Sequence, residues 1–176
     1  MDRAESQMLK EINEKSKMGP HAKGIYTLII YISNDCSLKV GRLGERFFMR
    51  GYYAYTGSAL GRGAFSLFGR LRRHMIKNKH MRWHIDHLLS HKDARIVSIV
   101  AVQTDQKIEC DVNLRLFEML HASIIVPKFG ATDCKLKCRS HLIYLGLEKD
   151  QKRRLFQTYK DLFAEKAIII ELGNDL

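Results

Sequence analysis

A run of nine residues, GIYTLIIYI at positions 24–32, constrains the fold of this chain more than any other segment. The run is rich in β-branched and aromatic residues and almost continuously apolar, which is typical of a strand covered on both faces. Such a strand lies inside a sheet, so positions 24–32 predict the sheet centre. A turn cluster at 33–35 follows, and segments at 38–40 and 47–55 predict further strands in a mainly antiparallel meander.

Helical spacing begins after a cluster of glycines at positions 57, 61 and 63. Apolar residues at 65, 68, 71 and 75 recur with a helical period, beside a polar stripe of Arg70, His74 and Lys77. Later patterns predict helices at 83–90, about 108–122 and 148–165, and strands at 96–102 and 167–170. Helix-forming composition also extends from the N-terminus to Met18, where Gly19 and Pro20 end it.

These elements predict one α+β domain, with a small and mainly antiparallel β-sheet flanked by helices. In this interpretation residues 22–145 form the domain itself. Residues 1–21 are a helical appendage, and residues 146–176 are a C-terminal helix and tail packed on the same domain. A length of 176 residues with 45% hydrophobic composition is sufficient for a single core, which excludes a disordered tail.

The sequence patterns do not favour a membrane or secretory segment. Apolar runs such as 96–102 fall far short of the roughly 20 residues that a bilayer-spanning helix requires, and residues 1–17 lack the apolar core of a signal peptide. Four cysteines in a chain of this length make a poor disulfide framework, so we expect reduced thiols. The sequence therefore predicts a soluble, cytoplasmic protein with no membrane partner.

The charge of the chain points to a polyanionic partner. Thirty Lys and Arg residues stand against nineteen Asp and Glu, a formal net charge of +11. Positions 41–95 hold twelve of the basic residues and three acidic ones, together with five of the eight histidines and several aromatic residues. Basic and aromatic side chains are the mixture that a phosphate-binding surface uses, so nucleic acid is the expected partner. A solvated helical face is the alternative that charge alone leaves open.

Short strings in a fixed order carry a resemblance to a known superfamily. The string GIY at 24–26 begins the first long strand, YTG at 55–57 ends a later one, and Arg70 and His74 follow one helical turn apart. This ordered set resembles the GIY-YIG nuclease superfamily. Longer strings are similar to a prokaryotic branch of GIY-YIG-like domains, some of them fused to endonuclease III-type DNA glycosylases: YAYTGSALG at 53–61, WHID at 83–86 and FGATDC at 129–134.

The resemblance covers about residues 22–145 and implies both a fold and a reaction. The implied fold is a small antiparallel sheet flanked by helices. The implied reaction is hydrolysis of phosphodiester bonds by a DNA endonuclease with one divalent ion, Mg²⁺ or Mn²⁺, in DNA repair or processing, with DNA favoured over RNA. Residues 33–50 are longer than the matching segment of the compact nucleases in this superfamily, so we expect an extra hairpin there.

Four residues are the expected catalytic groups: Tyr26, Tyr55, Arg70 and His74. In the superfamily, the tyrosine that matches Tyr26 acts as the general base. A phenol with a reference pKa near 10 is a poor base unless a cation lowers its pKa, which Arg70 or the metal could do. Arg70 suits two-point binding of a phosphate, and His74 on the same helical face could bind the phosphate or the water. Tyrosines on strands often serve only for packing, and a basic helix is often only a solvated face.

Residues around the catalytic set are expected to contact nucleic acid. The glycine cluster lets backbone approach the substrate, the basic helix offers groove contacts, and one histidine belongs to the WHID string. These candidates are Gly57, Ser58, Arg62, Arg72, Arg73, Lys77 and His84.

The sequence does not decide which residue binds the metal, because a hard cation requires a carboxylate and two candidates are present. Glu109 and Glu118 lie nine positions apart on one predicted helix, so they point to opposite sides. Apolar residues crowd the side of Glu109, where a carboxylate is costly unless it binds something. Glu118 stands nine residues before Pro127, a spacing that resembles the metal-binding glutamate of bacterial excision nucleases. The burial argument favours Glu109, with Glu118 as the alternative.

A second constellation consists of Cys134, Cys138 and His141, whose spacing is close to that of a zinc half-site, with Cys110 as a candidate fourth ligand. The motif is incomplete in sequence, and sequences of the similar branch bring the two cysteines closer together. We therefore favour buried thiols beside a histidine over zinc at this place.

Three functions remain open from the sequence. The first is a metal-dependent DNA endonuclease, and the second is a catalytically inactive nucleic-acid-binding module with the same fold. The third is an interaction domain stabilised by zinc.

Overall fold

The structure is a computed structural model of the chain, and it describes residues 10, 14, 19 and 21–172. The helical appendage predicted at 1–21 lies almost entirely outside these described residues. From residue 21 onwards, four strands come first, two helices follow, and strands then alternate with helices to residue 171.

Seven β-strands lie within the described residues: β1 (Gly24–Ile32), β2 (Cys36–Lys39), β3 (Glu45–Phe48), β4 (Gly51–Ala59), β5 (Ala94–Gln103), β6 (Leu142–Gly146) and β7 (Ala167–Glu171). Five of them form one sheet in the order β6-β4-β1-β5-β7, and every pairing in it is antiparallel. β1 occupies the middle, and all of its residues except the half-buried Tyr31 are buried. The prediction of a central strand at 24–32 is therefore confirmed.

The two remaining strands form a hairpin of their own. β2 pairs antiparallel with β3 as a separate two-stranded sheet, and this hairpin lies in the chain between β1 and β4. The extra hairpin expected within residues 33–50 is therefore present. The prediction of one strand at 47–55 was wrong, because this segment divides between β3 and β4, which belong to two different sheets.

Four α-helices flank the main sheet within residues 21–172: α1 (Leu67–Met75), α2 (His84–Leu89), α3 (Glu109–Met119) and α4 (Gln151–Phe163). Short 3-10 turns lie at Gly41–Leu43, Gly63–Phe65 and Ala164–Lys166. The first turn of α1 begins at an ordinary cap, because the Ser66 side chain accepts a hydrogen bond from the backbone N–H of Gly69. None of the helices in this part of the chain has the length and apolarity that crossing a bilayer would demand.

The alternation of side chains along β1 divides the core into two layers. Leu28 and Ile30 belong to a cluster that packs under α1 and α2, whereas Ile25 and Ile29 belong to a cluster that packs under α3 and α4. Three hydroxyls are buried in the second layer, where Thr27 Oγ1 shares hydrogen bonds with Thr56 Oγ1 (3.0 Å) and Tyr159 Oη (2.6 Å). The sheet is thus covered on both faces, as an α+β architecture of this size requires.

The predicted fold class is confirmed: the domain is α+β, with a mainly antiparallel sheet and flanking helices. The predicted C-terminal helix and the strand at 167–170 are also present, as α4 and β7. The sequence analysis missed β6, a strand of five residues at the sheet edge.

Candidate active site

A cavity of about 490 Å³ lies beside the ends of β1 and β4 and the start of α3. Its walls include six of the residues proposed from the sequence: Tyr26, Tyr55, Gly57, Ser58, Arg70 and Glu109. These residues come from two strands and two helices, and the antiparallel register of β1 and β4 is what brings the first three together, since Tyr26 pairs with Gly57 and Leu28 with Tyr55. The tyrosines, the arginine and one glutamate therefore share one pocket.

Gly57 gives the Tyr26 ring its place in the cavity wall. An added Cβ at Gly57 would lie 2.6 Å from Tyr26 Oη and 2.7 Å from its Cζ, closer than non-bonded atoms approach. The ring therefore crosses the strand at the position where β4 carries no side chain. Gly57 is needed for this packing, whatever contacts its backbone makes with a ligand.

Tyr26 is hydrogen-bonded to His74 behind the cavity wall. Tyr26 Oη and His74 Nε2 are 2.8 Å apart, and both side chains are buried. Burial lowers the pKa of His74 to about 3, with the charge of Lys79 acting in the same direction, so His74 is neutral at physiological pH. His74 does not line the cavity, and its hydrogen bond to Tyr26 is its link to the cavity wall.

The tyrosine hydroxyls are poor bases in this state. Burial raises the pKa of Tyr26 well above its usual value, and the charge of Tyr55 acts in the same direction while Arg70 opposes both. Burial also raises the pKa of Tyr55 to about 12, again against the charge of Arg70. Arg70 therefore acts as expected in direction, but burial outweighs it and both phenols stay protonated.

Arg70 is held by aromatic rings rather than by a carboxylate. Its guanidinium carbon lies 4.1 Å from the centre of the Trp83 ring and 5.5 Å from that of Phe65. Its Nε is buried and has no hydrogen-bond partner within the described residues. Stacking fixes the plane of the guanidinium and leaves its donors for a ligand in the cavity.

Trp83 is in turn fixed by a buried carboxylate at the start of α2. Asp86 accepts hydrogen bonds from the backbone N–H groups of Arg82 (2.9 Å) and Trp83 (3.0 Å), and from Arg73 Nη2 (2.7 Å). Burial opposes ionisation of Asp86, but these hydrogen bonds outweigh it and lower the pKa of the carboxyl. Arg73 also stacks on Trp83 at 4.7 Å. Arg73 was expected to contact a groove of nucleic acid. Here it helps to hold the Trp83 ring on which Arg70 stacks.

Glu109 and Glu118 lie on opposite sides of α3, as their spacing predicts. Glu109 is only 7% exposed and lines the cavity, whereas Glu118 is exposed to solvent and lies outside the cavity wall. Glu109 Oε2 is buried with no hydrogen-bond partner in residues 21–172, and Oε1 is 4.0 Å from Lys107 Nζ. A buried carboxylate oxygen without a partner, on a residue that lines a cavity, is a suitable ligand for a cation.

Three cysteines and a histidine form a compact cluster at the same cavity. The ligand atoms of Cys110, Cys134, Cys138 and His141 all lie within 4.8 Å of one another. Cys110 Sγ is 3.5 Å from Cys134 Sγ and 3.6 Å from His141 Nε2. Buried thiols beside a histidine were expected rather than zinc, because the motif is incomplete in sequence and the similar branch brings Cys134 and Cys138 closer together. The fold brings all four groups together, and the cluster is a set of possible metal ligands.

The other residues expected to contact nucleic acid lie around the cavity rather than in it. Arg62, Arg72 and Lys77 are exposed. His84 is half-buried, and its Nδ1 accepts a hydrogen bond from the backbone N–H of Gly130 (2.9 Å), a residue of the cavity wall. His84 therefore positions the loop that closes one side of the cavity.

Comparison with known families places the chain. The family model described as domain of unknown function DUF123 matches residues 25–164. The chain belongs to this family. The DUF123 match includes every residue of the cavity wall and of the cysteine cluster named above. No curated protein and no solved structure gives a significant match to the chain.

The sequence analysis missed the functional meaning of two residues. Trp83 enters the sequence analysis only as part of the WHID string, yet its ring supports Arg70 at the cavity edge. Asp86 was only part of a matched string, yet it is fully buried and holds Trp83 and Arg73. The sequence signal for Asp86 was its position beside the apolar residues of a predicted helix. A carboxylate placed there requires a hydrogen-bonding or charged partner, but the sequence does not show which residue that is.

Proposed function

We propose that this chain is a metal-dependent endonuclease that hydrolyses phosphodiester bonds in DNA. The observation that carries the proposal is that Arg70 and Glu109 line one cavity with two tyrosines, and that among the described residues Arg70 has no carboxylate partner and Glu109 Oε2 has no hydrogen-bond partner. A cation-binding group and an anion-binding group around one pocket are what a phosphate bridged to a divalent ion requires. The resemblance to GIY-YIG nucleases and the excess of basic residues near the cavity support the same reaction.

In this proposal each residue has a distinct task. Arg70 binds two oxygens of the scissile phosphate and stabilises the charge that grows on them. Tyr26 and Tyr55, protonated as their raised pKa values require, donate hydrogen bonds to phosphate oxygens or to the attacking water. His74 fixes the orientation of the Tyr26 hydroxyl. Arg62, Arg72 and Lys77 hold the neighbouring backbone phosphates.

Glu109 fits a divalent cation such as Mg²⁺ or Mn²⁺, because magnesium sites commonly use one or two carboxylates together with substrate phosphates and water. A cation held there would neutralise phosphate charge and provide an activated water. Glu118 is too far round the helix to reach the same pocket.

A nicking assay tests the proposal. The full chain is incubated with end-labelled duplex, flap and branched DNA, with Mg²⁺, with Mn²⁺ or with chelator. We expect cutting only with a divalent ion, and a loss of about 10²–10³-fold in Arg70→Ala, the range seen when one charge-stabilising donor is removed. The matched control is Arg153→Ala, an exposed arginine on α4 at the opposite face of the sheet, which should cut like the unmodified chain. Equal cutting by the two variants would refute the assignment of Arg70.

A binding module without turnover is the second candidate, and the raised pKa values of the two tyrosines favour it. Neither phenol can accept a proton at neutral pH unless a ligand changes its environment. If no DNA is cut with either metal, while Arg70→Ala weakens DNA binding and Arg153→Ala does not, this second function replaces the first.

A further inference from the structure

The ligand atoms of the cysteine cluster are close enough together to bind one metal ion. For zinc bonds of about 2.3 Å to sulfur and 2.0–2.1 Å to nitrogen, a tetrahedron has sulfur–sulfur edges of about 3.8 Å and sulfur–nitrogen edges of about 3.6 Å. The corresponding distances from Cys110 Sγ are 3.5 Å to Cys134 Sγ and 3.6 Å to His141 Nε2. All four ligand atoms fall within 4.8 Å of one another. We infer that Cys110, Cys134, Cys138 and His141 bind one structural Zn²⁺ that forms part of the cavity wall.

The ligand types distinguish this site from the one at Glu109. Thiolates are soft ligands that select zinc, copper(I) or iron–sulfur clusters, whereas Mg²⁺ and Mn²⁺ take oxygen. Three sulfurs and one imidazole nitrogen with tetrahedral spacing fit zinc. The four protein ligands leave no open position for water or substrate, so the ion is structural and takes no direct part in a reaction.

Basic residues lie between the ligands in sequence. One Zn²⁺ with three thiolates and a neutral imidazole carries a net charge of −1. Lys135, Lys137 and Arg139 alternate with the loop ligands in the segment 134–139, and all three are exposed. Their positive charges offset the net negative charge of a metal-loaded site.

The site joins α3 to the loop before β6, which are also linked by a hydrogen bond from Asn113 Nδ2 to the carbonyl oxygen of Ser140 (2.8 Å). Cys110 lies in the first turn of α3, Cys134 and Cys138 lie in the long loop before β6, and His141 directly precedes β6. The backbone carbonyl of His141 accepts a hydrogen bond from Thr56 N–H of β4, 3.0 Å away. The loop has almost no regular structure, so the ion would hold it against α3 and keep Gly130 and Glu109 on facing sides of the cavity.

Metal analysis of the full chain tests this inference. The protein is purified under reducing conditions without added metal, and zinc is measured by mass spectrometry. We expect about one zinc per chain, lost in Cys110→Ser and in Cys138→Ser. Cys36→Ser is the matched control, because Cys36 is the remaining cysteine of the chain, is similarly half-buried and lies in the β2–β3 hairpin outside the cluster. It should keep its zinc.

A second measurement remains informative if the serine variants do not fold. Unmodified chain stripped of metal is titrated with Co²⁺, which should produce the thiolate charge-transfer and visible bands of a tetrahedral cobalt site. Zinc should then displace the cobalt and raise the unfolding temperature by several degrees, while Mg²⁺ should do neither. Neither readout depends on nuclease activity, so the outcome is independent of the function proposed above.

Three results would overturn the inference. One is protein that folds without zinc and gains neither cobalt bands nor thermal stability when the metals are added. Another is loss of zinc in Cys36→Ser equal to that in the cluster variants. The third is a metal-free protein in which Cys110 and Cys134 are found joined as a disulfide under the same reducing conditions.

Discussion

Arg70 carries its positive charge into a cavity where indole and phenyl rings contact the guanidinium. Aromatic faces hold an arginine in one plane without neutralising it, unlike a carboxylate, which would compete with an anionic ligand. The arrangement therefore keeps the charge available for a phosphate and limits the conformational freedom that binding would otherwise cost.

Gly57 offers a direct test of how tightly Tyr26 is placed. Gly57→Ala puts a methyl group 2.6 Å from Tyr26 Oη, so the ring has to move and its hydrogen bond to His74 weakens. We expect a loss of about 1–3 kcal/mol in the free energy of unfolding, the usual cost of overpacking a core. Urea denaturation measures it. Gly19→Ala, where no atom of the described residues lies within 4 Å of the added group, should stay within about 0.5 kcal/mol; equal losses in the two variants would contradict the argument.

His74 should make the stability of the domain depend on pH. Its pKa is about 3 in the folded chain, below the usual value of about 6.5 in an unfolded chain. The unfolded state therefore binds the proton first as the pH falls, and stability decreases with acidification below about pH 6.5. The contribution lost between about pH 6.5 and pH 4 is about 2–3 kcal/mol. Asp86 opposes this shift, and Lys79, Arg70 and Arg73 enhance it.

The comparison of two proteins isolates that contribution. Urea denaturation between about pH 4.5 and 7 should give a steeper stability profile for the unmodified chain than for His74→Gln, which has no titrating ring. Other histidines and carboxylates act equally in both proteins. Parallel profiles would show that His74 does not carry the effect.

At the residue scale, sequence reasoning found the groups that motifs mark and missed those that only the fold defines. Tyr26, Tyr55 and Arg70 occur in short strings with a fixed order, so they were identifiable before the structure. The neutral state of His74 depends on burial by residues distant in sequence, which no local pattern reveals. Cys110 was a candidate fourth ligand in the sequence, but it is 24 positions from Cys134, and its contact with the cluster depends on the docking of α3.

The start of α2 is the element that most affects the cavity from outside it. Asp86→Ala removes the acceptor for two backbone N–H groups and the carboxylate partner of Arg73, which keeps its hydrogen bond to the carbonyl oxygen of His80. We expect a loss of about 2–3 kcal/mol in the free energy of unfolding, less than for a fully buried pair because Arg73 remains 26% exposed. The fluorescence of Trp83 should shift to longer wavelength as its ring loosens. Asp161→Ala, an exposed residue of α4, should change neither quantity.

Long elements with a clear hydrophobic pattern were predictable from the sequence, and the short strand β6 was not. β1 is a nine-residue apolar run with no alternative as an amphipathic helix, so its central place followed directly. β6 has five residues, and its identity as a strand comes from pairing with β4 and from the bridge between Ser123 and Tyr144. The buried face of α3 was predictable because Glu109, Val112 and Leu116 share one side of the helix.

On the scale of the whole molecule, the two faces of the sheet have different roles. α1 and α2 cover one face, where Arg72 of α1 is exposed, while α4 covers the opposite face. If DNA binds on the first face, its affinity should fall steeply with salt, because each phosphate neutralised by a basic side chain releases counterions.

A salt titration locates the binding face. Fluorescence anisotropy with labelled duplex DNA and chelator present, from about 50 to 200 mM salt, gives the slope of log K against log salt. Arg72→Ala on α1 should reduce the magnitude of this slope by about 1, whereas Arg153→Ala on α4 should leave it unchanged. The reverse ranking of the two variants would place the DNA on the other face.

The strand β7 closes one side of the main sheet from outside the matched range, which ends at residue 164. It pairs with β5 over five residues, buries Ile170, and continues to Leu172, whose N–H donates to Val97 O. A fragment trimmed to the family match would uncover the backbone of β5 along its length, and open strand edges recruit one another. We expect such a fragment to self-associate in size-exclusion chromatography, while a fragment ending at Leu172 elutes like the full chain. Boundaries for an expression fragment should therefore follow the hydrogen bonds of the sheet, not the limits of detectable sequence similarity.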